Sequence, residues 1–185
     1  MPSADSACVE VLDCAKSYPG GSRALQATTL RVEPGPGTTI ASSNVYFRGD
    51  IATASAAAEQ RENIRTQTEK ATGLAFTQAQ WDLVKGDALR QLTARRYPRG
   101  RIANSLADID TAAQGANLHI EIESGPPVKL GPIRVEGAER YDAVGIERMA
   151  RLAGLTPGSD YNLETLQTAQ QRIADSGYYG SVFAY

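Results

Sequence analysis

Histidine, cysteine and methionine are scarce in this 185-residue chain, which has one histidine, His119, two cysteines, Cys8 and Cys14, and two methionines. A single histidine leaves any Ser-His-Asp or Cys-His arrangement to run through one residue, and that residue is flanked by Leu118 and Ile120 in a strand-like alternation. His119 therefore reads as an exposed strand residue. The cysteines lie six positions apart in a poorly patterned N-terminal stretch without metal-ligand spacing, so they are either a small disulfide loop of an oxidising compartment or free thiols. Ligand-type residues nowhere cluster at metal spacing and the carboxylates are scattered, so no metal, no cofactor and no catalytic centre is expected. An excess of one charge is missing too. With 19 Lys and Arg against 21 Asp and Glu, a net charge of −2 offers no general attraction for nucleic acid or an anionic bilayer. No window approaches the roughly 18 consecutive apolar residues that span a bilayer, and Met1 is not followed by a charged start and an apolar core. Neither an export signal nor a helical anchor is expected within these residues.

What is present is a folded and repeated chain. Hydrophobic residues make up 42% and charged residues 22%, the balance of a globular protein rather than a disordered one. The stretch LTARRY at 92–97, with Gly73 before it, reappears 81 residues later as IADSGY at 173–178, with Gly154 before it. Val45, Phe47 and Gly49 return as Ile133, Val135 and Gly137 at an offset of 88, and an Ala-rich insert at 52–58 in the first copy accounts for the difference. Tandem copies of one supersecondary unit point to an array of interaction modules instead of one catalytic pocket.

Residues 1–24 show no persistent apolar period and read as an unassigned or disordered tail. Residues 25–37 read as one strand without a partner, the remnant of a preceding module, closed by the turn EPGPG. The first full unit covers 38–124. Val45 and Phe47 alternate with Tyr46 and Arg48 as in a half-buried strand. Residues 56–71 predict a largely exposed helix that Gly73 ends. Thr77 caps a second helix with the buried stripe Trp81, Val84, Ala88, Leu89 and Leu92, and with Arg90, Arg95 and Arg96 in its last turn. A sparsely apolar strand at 102–109 and a strongly apolar one through Leu118, Ile120 and Ile122 complete the order strand, helix, helix, strand, strand. Residues 125–185 repeat it, with Ile133 and Val135 facing inward on a strand, a helix at 141–152 using Val144, Ile146, Met149 and Leu152, a second helix capped by Asn162, and a run through Val182 and Ala184. That copy stops one strand short of the pattern, which leaves its sheet incomplete.

The segment ESGPPVKLGPIRVEG at 123–137 combines an acidic-small-Gly-Pro turn, a Gly four residues after the second Pro, and an Ile/Val strand ending in Gly. Gly154, Tyr161, Leu166, Ile173, Gly177, Tyr178, Tyr179 and Val182 follow it in order. In these residues the chain, over about 39–185, resembles POTRA domains, the periplasmic modules ahead of the membrane barrel in the BamA and TamA group of outer-membrane protein assembly factors. Trp81, Lys85 and Leu89 make it more similar to TamA-like proteins. Arg96 departs from the pattern, standing where the family's aromatic turn usually has Gly. The resemblance implies an α+β fold of tandem POTRA modules (β-α-α-β-β), each a three-stranded mixed sheet packed on two helices, the last lacking its final strand.

The resemblance also implies a place on the periplasmic face of the outer membrane of a Gram-negative bacterium, ahead of a C-terminal barrel that this chain does not contain, and no enzymatic activity. The implied partners are unfolded outer-membrane protein or autotransporter segments and other assembly subunits, a TamB-like inner-membrane partner among them for a TamA-like protein. Capture by strand addition requires an exposed sheet edge. Ile102, Asn104, Ser105, Leu106, Asp108 and Ile109 form the candidate edge, because their composition is only partly apolar whereas 118–122 has that of a covered central strand. Gly125, Pro126 and Pro127 form the candidate inter-module hinge, with the prolines restricting it. Two alternatives stand beside this reading: the POTRA region of a two-partner secretion transporter, and a small α/β nucleic-acid binder using the basic run RRYPRGR at 95–101. The plain reading of that run is solvated arginines at a helix end. With no GXXG clamp and no pair of sheet aromatics, nucleic acid is not expected as a partner.

Overall fold

The computed structural model describes residues 9–20, 23–32, 37–137, 143–177 and 182–184, and the chain divides into two compact units, 1–37 and 38–185. The first holds a hairpin. Strand β1 (Val9–Ser17) pairs antiparallel with β2 (Arg23–Val32), from Val9 opposite Val32 to Ser17 opposite Arg23. Over residues 9–17 and 23–24 this corrects the tail expected at 1–24, and it supplies a partner to the strand expected to have none. A bulge hid it: Asp13 has φ +47, its amide donates to Thr29 Oγ1 (3.4 Å), and the register slips between Val11 and Cys14. One extra residue inverts the side-chain phase, so no alternation persists in the sequence although the backbone pairs. Leu12 and Leu30 stay more than half exposed.

The second unit opens with β3 (Thr39–Arg48), α1 (Asp50–Thr53), a 3-10 turn (Ser55–Ala57), α2 (Ala58–Glu69), α3 (Gln78–Ala94), β4 (Arg101–Asp110) and β5 (Gly115–Glu123). The sheet order is β3-β5-β4, with β5 parallel to β3 and antiparallel to β4. This is the three-stranded mixed sheet on helices that the resemblance implies. The last strand in sequence is central because its alternation is the cleanest: Ala116, Leu118, Ile120 and Ile122 are fully buried, and burying each of the larger three is worth about 1.5–3 kcal/mol. Against them pack Ile64 of α2 and the predicted stripe of α3, with Trp81, Val84, Ala88 and Leu92 buried and Leu89 partly so. Thr77 Oγ1 accepts from the Gln80 amide at 3.0 Å, the predicted cap.

The other end of α3 differs from expectation. The helix stops at Ala94, so Arg95 and Arg96 lie beyond its last turn. Its terminal carbonyls are met instead from α2: Gln60 Nε2 donates to the carbonyls of Gln91, Leu92 and Arg95 at 2.9–3.0 Å. A buried side-chain amide thus satisfies acceptors that a helix end otherwise leaves open.

The second copy supplies α4 (Ala143–Leu152) and α5 (Leu163–Asp175). Asn162 caps α5 as predicted, its side chain accepting from the amides of Glu164 and Thr165 (3.0 and 3.3 Å). On α4 the predicted stripe is corrected: Ile146, Met149 and Ala150 turn inward, whereas Val144 and Leu152 are exposed. The strand expected through Ile133 and Val135 is absent. Both residues are half-buried, but 131–136 form no strand. In the first copy the only strand paired with β3 is β5; among the described residues no strand pairs with 131–136, and extended backbone without a partner forms no ladder. Tyr178 and Tyr179 lie outside the described residues. The duplication is clearest in the backbone. Gly49 and Gly137 have φ +79 and +76, Gly73 and Gly154 +85 and +102, and Arg96 and Gly177 +60 and +74. Among the described residues no helix is long and apolar enough to cross a membrane.

Candidate strand-acceptor edge and module junction

β4 lies at the outer margin of its sheet, where the register places Ile102 opposite Ile122, Asn104 opposite Glu121, Ser105 opposite Ile120, Leu106 opposite His119, Asp108 opposite Asn117 and Ile109 opposite Ala116. All six candidate edge residues therefore sit on one strand whose far side pairs with no other strand among the described residues. The opposite margin is partly covered, because the Ile40 amide donates to the Leu74 carbonyl and the Gly73 amide to the Ile40 carbonyl, each at 2.8 Å. Charge on β4 is confined to its ends, at Arg101, Asp108 and Asp110. Residues 102–107 carry none of the charged guards that sheet edges use against uninvited pairing. Leu106 is 56% exposed. At the tip, Asp110 Oδ1 accepts from the amides of Ala112 and Ala113 (2.9 and 3.0 Å), fixing the turn into β5.

The candidate hinge follows β5. Gly125 has φ +63, and Pro126 and Pro127 are exposed. On either side the chain is tied. The hydroxyl of buried Ser124 accepts from the Ile51 amide (3.1 Å) and donates to the Gly125 carbonyl (2.8 Å). Beyond the prolines, the Val128 amide donates to the Arg96 carbonyl (2.7 Å), the Arg96 amide to the Tyr161 carbonyl (2.8 Å) and the Tyr161 amide to the Val128 carbonyl (2.9 Å). Leu130 exchanges further bonds with Ser159 and Gly158. Three short segments from both copies thus meet in one patch of backbone pairing. Arg96 sits at its centre, Nη1 donating to the Ala56 carbonyl (2.9 Å) and Nη2 lying 3.2 Å from Asp160 Oδ2. Sequence reasoning placed Arg96 among solvated cations; its side chain is only 21% exposed. The signal that could have found it is the repeat, which has Gly177 at the corresponding position.

The neighbouring Tyr97 is fully buried and donates to Asp50 Oδ2 at 2.7 Å. Burial first, and then the Asp50 carboxylate, push its pKa up to about 12. His119 is partly buried on the outer face of the sheet, its ring stacked on Tyr46 at 6.2 Å between centroids. Cys14 is exposed, and Cys8 lies outside the described residues. Among the described residues no group of three or more His, Cys, Asp or Glu side chains is placed to hold a metal ion.

No protein-family model matches the chain, and no curated protein matches it. Among solved structures it is similar to the crystal structure of BamA POTRA3-5 from Haemophilus influenzae, with a TM-score of 0.54 and 18% identity over 79% of this chain. The match covers 53% of that structure, so the chain spans about half its length. Identity at this level speaks to the fold. A mixed sheet ordered β3-β5-β4 against two helices, the duplicated left-handed positions and this neighbour agree: the chain has the POTRA fold.

Proposed function

We propose that this chain is the POTRA region of an outer-membrane protein assembly factor, acting on the periplasmic side without chemistry of its own, and that β4 receives extended client segments by strand addition. The observation that carries this reading is an uncovered ten-residue edge, uncharged over 102–107, in a fold shared with BamA modules. Each main-chain hydrogen bond adds only about 1 kcal/mol net, so a guest of a few residues is held weakly, as suits a client that must be passed on. Tandem modules offset that weakness by raising the local concentration of sites. The TamA-like version, with autotransporter clients and a TamB-like partner, rests on the sequence pattern of Trp81, Lys85 and Leu89.

Site-specific crosslinking tests the reading. With Cys8 and Cys14 replaced by serine, a photoreactive label on Asn104→Cys or Ser105→Cys is expected to trap unfolded outer-membrane protein segments well above the same label on Glu62→Cys of α2. Equal yields at the three positions would remove β4 as the client site.

A further inference from the structure

The inner face of the β3-β5-β4 sheet carries Ala116, Leu118, Ile120 and Ile122 into the core under α2 and α3, so alternation turns Asn117, His119 and Glu121 to the outer face. The register sets Tyr46 and Asn104 on either side of Glu121, and Asn44 and Leu106 on either side of His119. Tyr46 and Leu106 are 55% and 56% exposed, and the Tyr46 ring stacks on His119 with 6.2 Å between centroids. Glu121, the carboxylate beside the rings, is paired with Arg48. Asn44 and Asn104 are exposed, and their side-chain amides make no hydrogen bond among the described residues. The outer face thus holds an aromatic and aliphatic ridge flanked by two unengaged amide groups, with no unpaired carboxylate between the rings.

We infer that this outer face is a docking site for a proline-rich segment of a partner polypeptide in the polyproline II conformation. Spacing and hydrogen bonding decide the choice. His119 and Leu106 are directly opposed, with about 5 Å between their Cβ atoms, so together with the stack Tyr46 and Leu106 frame His119 over a span of about 10 Å. A polyproline II helix rises about 3.1 Å per residue with three residues per turn, so residues i and i+3 lie on one side about 9 Å apart. An extended strand returns to one side at about 7 and 13 Å and misses this span. An α-helix meets it at i and i+7, about 10 Å apart, but its carbonyls are bonded within the helix. Those of polyproline II are open, and the Asn44 and Asn104 amides supply Nδ2 donors for them. Such a guest arrives already ordered, so a few contacts suffice to hold it. Proline lacks the amide hydrogen that a sheet edge pairs with, so this guest does not join β4 as a strand and the two sites are independent.

The probe is fluorescein-labelled L-decaproline, with D-decaproline, of the same composition and opposite helical hand, as its control. Anisotropy with the whole chain is expected to show the L peptide binding about tenfold more tightly than the D peptide, and a Gly-Ser decapeptide not binding. Tyr46→Ala is expected to weaken binding about tenfold, and Asn44→Ala combined with Asn104→Ala about threefold to tenfold, while Tyr46→Phe, which keeps the ring, stays within about twofold of the parent. The three side chains are exposed, so the thermal midpoints of these variants should barely move. Amide resonances are expected to shift at 44–46, 104–106 and 118–120. No saturable binding, equal binding of the two enantiomers, or shifts confined to other residues overturns the inference, as does chitotetraose or an unfolded outer-membrane protein segment taking this face in place of decaproline. Because decaproline cannot pair with β4, failure here leaves client capture at that edge standing, and failure of that capture leaves this site standing.

Discussion

Arg96 occupies a left-handed backbone position that its counterpart in the second copy fills with glycine, and three contacts explain its retention there: Ala56, Asp160 and the paired backbone of the junction. For a residue with a Cβ that conformation costs about 1 kcal/mol. Arg96→Ala keeps the backbone cost and removes the side-chain ties, so denaturant unfolding is expected to show it less stable than Arg96→Gly by about 1 kcal/mol, both lying below the parent. The glycines allow a second comparison. A Cβ on Gly49 would lie 2.8 Å from Ser124 Oγ, whereas one on Gly73 meets nothing within 4 Å, and both have positive φ. Gly49→Ala is expected to cost about 2–3 kcal/mol and Gly73→Ala about 1 kcal/mol. Tyr97 adds a pH dependence. Because its pKa is raised from 10 to about 12 on folding, its contribution is complete below pH 10 and lost as pH climbs toward 12, amounting to about 3 kcal/mol. Denaturation midpoints measured from pH 8 to 12 should fall less steeply above pH 10 in Tyr97→Phe than in the parent.

At the level of elements, the three strands of the first sheet play roles that their side chains announce to different degrees. The strict alternation of Leu118, Ile120 and Ile122 marks a strand buried on one face and flanked on both sides, and its central place was readable from the sequence. β4 was also readable as an edge, because a strand with Asn104, Ser105 and Asp108 has too little apolar surface to be covered. A lysine on that edge is a direct test: Leu106→Lys is expected to abolish client crosslinking at Asn104 while shifting the thermal midpoint little, since Leu106 is already exposed. The closure of α3 by Gln60 was not readable. It joins residues more than thirty positions apart through one amide group, and no local pattern encodes such a reach.

For the molecule as a whole, the relation between the two copies turns on the junction. A hinge at Gly125, Pro126 and Pro127 would have to open the hydrogen bonds from Val128 to Arg96 and from Arg96 to Tyr161 and pull the Arg96 guanidinium from Asp160. We expect the copies to move as one body until those ties are cut. Spin labels on Glu62→Cys of α2 and Gln171→Cys of α5, with the native cysteines removed, should give a narrow distance distribution that broadens in Arg96→Ala combined with Asp160→Ala. An equally broad distribution in the parent would return the hinge to Gly125. Salt should have only a small effect, because the Arg96–Asp160 pair is partly shielded and the remaining ties are main-chain bonds.

Periodicity and repetition are written in the order of residues, so the amino-acid sequence by itself determined the strand, helix, helix, strand, strand order within 38–124, the stripe of α3, the caps at Thr77 and Asn162, and the repeat that relates the two copies. Pairing is not local. Only the tertiary structure decided that residues 9–17 join a hairpin across a bulge, that Arg96 is drawn into the junction, and that 131–136 remain without a ladder, because a strand is stabilised by a backbone partner that its own side chains do not specify.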